Sequence, residues 1–181
     1  MSNSIIKKFL SGIVALITSF NLVGCNSKLT DEEIGKAMEE ILTQLFISVQ
    51  EVDKETFKTF FADHVVAMSD FENGCSYVFD RYQGNLISVK FRSAGSSGTH
   101  FVPGEKISYA YMTFFVNTSE KEYMVCIEFY THYQSKYPDG SYKIRKFSLL
   151  TKKDDGEFED HNGFNLRYGI YYPGWIDEEI E

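Results

Sequence analysis

Cysteine is scarce in this chain, with three in 181 residues, at Cys25, Cys75 and Cys126. No two of them form a Cys-x-x-Cys pair, which excludes a zinc ribbon and a thioredoxin-type redox site. Basic residues are outnumbered, 18 against 26 acidic, for a formal charge of −8. That balance removes the electrostatic footprint a nucleic-acid partner needs. The histidines, His64, His100, His132 and His161, are scattered, with no His-Glu-x-x-His and no other metal spacing, so no metal or cofactor is expected. Gly95-Ser96-Ser97-Gly98 does not meet Gly-x-Ser-x-Gly and is not followed by a strand-to-helix turn, so it reads as a flexible hairpin tip.

What the chain does have begins at its N-terminal segment. Met1–Lys8 carries Lys7 and Lys8 and no acid, and Phe9–Val23 is mostly apolar. These are the basic and apolar regions of an export signal, too short and wrongly flanked for a membrane span. The run Leu22-Val23-Gly24-Cys25 resembles the lipobox read by lipoprotein signal peptidase. That resemblance implies a diacylglycerol on the Cys25 thiol and cleavage before it, with two acyl chains supplying a firm anchor on the outer side of the cell membrane. Removing residues 1–24 leaves 157 residues with a formal charge of −10, enough chain for one domain with its own core. Cys75 and Cys126 lie in apolar patterns. They are open to pairing outside the cytosol, but each is equally readable as a small buried hydrophobe.

Residues 25–30 form the lipidated cysteine and a tether, residues 31–176 a single domain, and residues 177–181 an acidic end. Thr30-Asp31-Glu32-Glu33 is a capping box before Ile34, Met38, Ile41, Leu42, Leu45 and Val49 at helical spacing, so a helix is expected to about Gln50. Asp53 caps a second helix through Phe57, Phe60 and Phe61, expected to end near Asp63-His64. Ser69-Asp70-Phe71-Glu72 opens a third, with Gly84 as a left-handed stop. Gly74 sits awkwardly inside it.

From Gly84 the period changes to two. Strands are expected over Leu86–Arg92, Ile107–Asn117, Glu122–Gln134, Tyr142–Lys152 and around Leu166–Tyr172, with Ser93–Thr99 flexible. Helices followed by sequential strands give an α+β domain, N-terminal helices packed on a curved antiparallel sheet.

This order, with the run Phe60-Phe61-Ala62-Asp63, the stretch Ser69–Ser88 and the closing Gly169–Trp175, resembles the nuclear-transport-factor-2-like (cystatin-like) cone. Within it the chain is similar to an uncharacterised group of lipoproteins from Gram-positive anaerobes. The resemblance implies a pocket at one end of the cone. It also implies, by similarity to ketosteroid isomerases and epoxide hydrolases, that an enzyme of this shape would set a carboxylate and a tyrosine there, here Glu128 or Asp63. Its open sheet face commonly makes a dimer. A shape does not fix a function.

The candidate residues follow from strand parity. On Glu122–Gln134 one face holds Tyr123, Val125, Ile127, Phe129, Thr131 and Tyr133, and the other Met124, Cys126, Glu128, Tyr130 and His132. If the first face is the core, Glu128 is expected in water, because acids are rarely buried without a partner. Sixteen Phe, twelve Tyr and one Trp put aromatics on both strand faces. A second face carrying Tyr109, Tyr111 and Phe115 would be too apolar to leave wet, and such patches mark partner contact. Tyr171-Tyr172-Pro173-Gly174-Trp175 either shields one end of the sheet or lines a binding mouth. The acidic stretch Asp154–Asp160 does not match a calcium loop and reads as a solvated turn. The expectation is a lipid-anchored, extracytoplasmic domain that binds without catalysing. Its partner would be a small apolar ligand, a protein, or a second copy, with Tyr109, Tyr111, Glu128, Tyr130, Tyr172 and Trp175 as contact candidates and no catalytic residue assigned.

Overall fold

The computed structural model describes residues 30–102, 105–132, 142–153, 156–159 and 168–172. The export and lipidation residues Leu22, Val23, Gly24 and Cys25, and also Trp175, His161 and the acidic end, lie outside the described residues. The architecture is α+β. Helices α1 (Asp31–Gln50), α2 (Lys54–Lys58), α3 (Asp63–Val66) and α4 (Phe71–Arg81) precede strands β1 (Leu86–Val102), β2 (Glu105–Thr118), β3 (Glu122–His132), β4 (Ile144–Thr151) and β5 (Gly169–Tyr171). The five strands form one sheet in the order β1-β2-β3-β4-β5.

Helix α1 opens on Asp31, Glu32 and Glu33, acids that suit the positive end of the helix dipole. It buries Met38, Leu42, Leu45, Phe46 and Val49 on one stripe. Asp53 caps α2 by accepting a hydrogen bond from the Thr56 amide at 3.0 Å. The expected continuation of α2 through Phe61 does not occur. Phe60 and Ala62 instead bond to the strand edge: the Ile144 amide donates to the Phe60 carbonyl at 2.9 Å, and the Ala62 amide to the Ile144 carbonyl at 3.0 Å. Capture of the backbone by β4 ends the helical run, and Asp63–Val66 is a separate turn of helix. The cap of α4 falls on Asp70 rather than Ser69. Gly74, buried in that helix, is the point of closest approach to β5: a Cβ there would stand 2.6 Å from the Cβ of Ile170.

The strands depart from expectation in two places. First, Ser93–Thr99 is not a loop. It continues β1, with Gly98 opposite Tyr109 and register shifts between Phe91 and Ser93 and between Ala94 and Ser97. A Cβ on Gly98 would meet the Tyr109 hydroxyl oxygen at 2.3 Å, so the glycine lets a cross-strand tyrosine lie over the backbone. Second, the sheet is mixed. β5 pairs parallel with β4, Phe147 against Ile170, whereas the first four strands are antiparallel. A three-residue strand carries no signal of its direction.

The main core lies between helices and sheet. Phe46, Phe57, Phe61, Phe71, Phe114, Phe129 and Phe147 are all fully or almost fully buried. Their rings pack in tilted and edge-on pairs, with Phe57–Phe61 at 5.1 Å and Phe61–Phe71 at 5.3 Å between centroids. The expected core face of β3 is the observed one: Tyr123, Val125, Ile127 and Phe129 all belong to this cluster. Cys126 and Leu150 form a second, smaller cluster with Tyr111 and Met124 on the opposite face. Among the described residues no helix is long and apolar enough to cross a membrane.

Candidate functional site

The second sheet face gathers the groups with the most chemistry. Glu128 lies there, but not in water: it is 8 % exposed. Its carboxylate takes a hydrogen bond from the Arg145 Nε, and the Lys146 Nζ stands 3.5 Å away. Burial of an acid is tolerated because two cations from the neighbouring strand meet it.

Two adjacent residues reach one face because β4 is irregular. In the β3–β4 ladder Glu128 opposes Lys146, yet Phe129 opposes Ile144, so Arg145 is the extra residue of a bulge. Such an insertion re-aims a side chain that strict alternation would send to the other side. The apolar pattern records this, since Ile144 and Phe147 both join the main core although three residues apart.

Tyrosines enclose the guanidinium. The Arg145 Cζ lies 4.3 Å from the Tyr109 ring centroid, 4.7 Å from that of Tyr168 and 5.5 Å from that of Tyr130. A planar cation on aromatic faces in a dry setting is held more strongly than at the surface. His64, the second residue of α3, comes to the margin of this cluster. Its Nε2 is 3.5 Å from the Tyr130 hydroxyl and its ring 5.2 Å from that of Tyr168. It therefore stands at the start of a short helix, not at the end of one as expected.

Toward the other end of the same face, Tyr111 lies beside Thr113 and Cys126. Burial pushes the Tyr111 hydroxyl and the Cys126 thiol above their ordinary values, with a mutual hydrogen bond between them. Phe158, from the connection after β4, folds onto this face at 5.7 Å from the Phe115 ring. The Arg92 guanidinium covers Phe115 at 5.0 Å.

The contact candidates thus separate. Tyr109, Tyr111, Glu128 and Tyr130 share one face and are contiguous across β2 and β3, Tyr111 directly opposing Glu128. Tyr172 lies elsewhere, with its ring 6.4 Å from that of Tyr77 on α4. Asp63 is exposed and borders an open depression of about 530 Å³ with Glu55, Lys58 and Lys143, apart from the tyrosine cluster. Neither carboxylate stands alone in an apolar pocket as a tuned general base would. Arg145, Lys146, His64 and Tyr168 were not anticipated. The paired cations inside an otherwise apolar strand were the available sign.

Both internal cysteines are free thiols, buried on opposite faces of the sheet. Desolvation pushes the Cys75 thiol up to about 12. The acidic turn after β4 engages the protein through Glu159, whose carboxylate pairs with the Arg81 guanidinium and accepts from the Thr151 amide at 3.2 Å. Asp154, Asp155 and Asp160 lie outside the described residues. Among those described, no three His, Cys, Asp or Glu side chains converge.

Fold and site together define an α+β domain with a filled core and a buried, tyrosine-lined ion pair on its second sheet face. Residues 44–147 match the model of a domain of unknown function, DUF5104. The match covers more than half of the chain, and the chain belongs to that family. It takes in Glu128, Arg145 and Lys146 and stops before Tyr168 and β5. No curated protein matches the sequence.

Proposed function

We propose that the chain is a lipid-anchored, extracytoplasmic binding domain without catalysis, and that its partner is a protein docking on the sheet face around Arg145. In this reading the segment to Gly24 exports the chain, Cys25 carries the diacylglycerol, and the domain resembles the nuclear-transport-factor-2-like cone with its interior closed. The observation that carries it is the division between the two faces. Phenylalanines occupy the space between helices and sheet, where an enclosed small ligand would otherwise sit. On the other face Tyr109 and Tyr111 are half-buried and Tyr168 is 36 % exposed, over a rigid ionic base. Rigid tyrosines offer large contact area at little entropic cost, which is what protein contacts select.

The test has two parts. Intact-mass analysis of protein extracted from membranes reads the anchor: the expected mass lacks residues 1–24 and carries a diacylglycerol. A photoreactive residue replacing Tyr168 then reads the face. The expected result is one stoichiometric protein adduct, lost when Tyr109→Ala is added and absent when the probe replaces Ser76 on α4. A retained small molecule in native mass spectrometry, with no adduct, would sink the protein-docking reading. An adduct with a second copy would make the face a homodimer interface.

A further inference from the structure

Arg145 is buried with most of its hydrogen-bonding capacity unused. Its side chain is 5 % exposed. The Nε donates to Glu128, and among the described residues no acceptor meets either Nη group. A guanidinium has no lone pair to offer, so those groups can be satisfied only by an acceptor. They are not sealed off: the polar side-chain atoms that are both buried and orphaned are the Arg81 Nε and the Tyr82 and Ser148 hydroxyls, with none from Arg145. The cation therefore keeps an open edge in an otherwise dry setting, where a charged donor gains most from a partner.

The surroundings select what can meet that edge. The Tyr109 and Tyr168 rings lie 4.3 Å and 4.7 Å from the Arg145 Cζ, and aromatic carbon takes up the space over the cation. What remains is the pair of Nη groups, whose parallel N–H bonds match the two oxygens of a carboxylate. A phosphate dianion would stand beside the Glu128 carboxylate and be repelled by it. A carboxylate brings a single charge, and Lys146 at 3.5 Å from Glu128 offsets what repulsion is left. A neutral carbonyl would take one donor and leave the charge unmet. Arg145 lines neither the depression by Lys58 and Lys143 nor the one by Arg81 and Lys121. It opens instead on a sheet face flanked by the half-buried Tyr109 and the exposed Tyr168. That setting favours an acid carried by a large partner over a free small one.

We propose that the protein partner sets an aspartate or glutamate side chain against the Nη edge of Arg145, so that one guanidinium joins the domain's own Glu128 to the partner's acid. The inference rests on the protein-docking reading given above and names the anchor of that contact. Tyr109 and Tyr168 form the rim that keeps water from the pair, the arrangement in which a charged contact counts most. The chain has a formal charge of −8. An acidic partner is therefore repelled by most of the surface and admitted where Arg145 stands, which fixes the register of docking.

The test starts from the adduct formed by a photoreactive residue at Tyr168. Peptide mapping of that adduct identifies the partner segment lying against the face. Affinity of the purified pair is then measured through a double-mutant cycle: Arg145→Lys in this chain, and the mapped acid changed to its amide in the partner. Lysine keeps a charge for Glu128, and urea unfolding checks that the domain is retained. Each single change should weaken binding at least about tenfold, and the two together little more than either alone. A mapped segment without any carboxylate, or single losses that multiply in the double variant, would overturn the acid anchor and leave protein docking standing. No adduct at wild-type Arg145 would remove the docking reading and the anchor together. Should Arg145→Lys unfold, the partner's amide variant decides alone, and unchanged affinity would overturn the anchor.

Discussion

Arg145 occupies the extra position of a β-bulge, and that displacement lays its guanidinium on the Glu128 carboxylate, which a regular strand would have left facing Lys146 alone. Charge and backbone irregularity are therefore one feature. Removing Glu128 strands two buried cations, at a cost of about 3–5 kcal/mol, whereas removing Arg145 still leaves the carboxylate paired with Lys146 and costs less. Glu128→Gln should lower the urea midpoint strongly and Arg145→Met by less, because Lys146 still meets the carboxylate. Adding Arg145→Met to Glu128→Gln removes one of the two stranded cations and should recover part of the loss, with a coupling energy of about 1 kcal/mol. Additive losses in equilibrium unfolding would mean that the two side chains do not depend on each other.

The site was half legible in the sequence for a definable reason. Strand alternation sorted β3 correctly: Tyr123, Val125, Ile127 and Phe129 form the core face. What covers the other face is set by residues distant in sequence, namely a bulge in β4, His64 of α3 and Tyr168 after a long connection. No local period encodes those. The same limit hid the length of β1, where Gly95 and Gly98 look like loop residues until Tyr111 and Tyr109 are seen lying across them. Helix α1 was legible throughout, because its acidic first turn and apolar stripe are both local features.

Gly74 joins α4 to β5 by absence. Alanine has the better helix propensity by about 1 kcal/mol, but its Cβ would overlap Ile170, and overpacking in a tight core costs about 1–3 kcal/mol. The second effect should win. Gly74→Ala is expected to destabilise the domain by roughly 1 kcal/mol, whereas Ser76→Ala, exposed on the same helix, should not. A stabilised Gly74→Ala in thermal unfolding would show that α4 can move away from β5 without loss.

Neither buried thiol should behave as a reactive cysteine. The Cys75 value is raised by desolvation from 9.0 to about 12, so the neutral thiol is the folded form. The sign follows directly. The stabilisation from keeping this thiol neutral is fully present below pH 9 and is lost as pH rises toward 12. At pH 8 an aromatic disulfide reagent should modify neither Cys75 nor Cys126 in the native domain and both after denaturation. Cys75→Ala should flatten the decline of stability above pH 9. Rapid native labelling of Cys75 would contradict its burial.

Val52 offers the opposite case, a residue that works against the fold. It links α1 to α2 with φ of +57°, and its side chain is 69 % exposed. A β-branched residue in the left-handed region pays a steric cost of roughly 1–2 kcal/mol, and no burial offsets it here. Asparagine enters that region readily, and glycine enters freely but loses more chain entropy on folding. Val52→Asn should therefore raise stability by about 1 kcal/mol, and Val52→Gly by less. Both are read as a shift in urea midpoint at unchanged slope. If both variants are instead neutral, the α1–α2 turn relaxes its backbone at no cost. If both destabilise, the exposed isopropyl group makes a contact worth more than the strain it imposes.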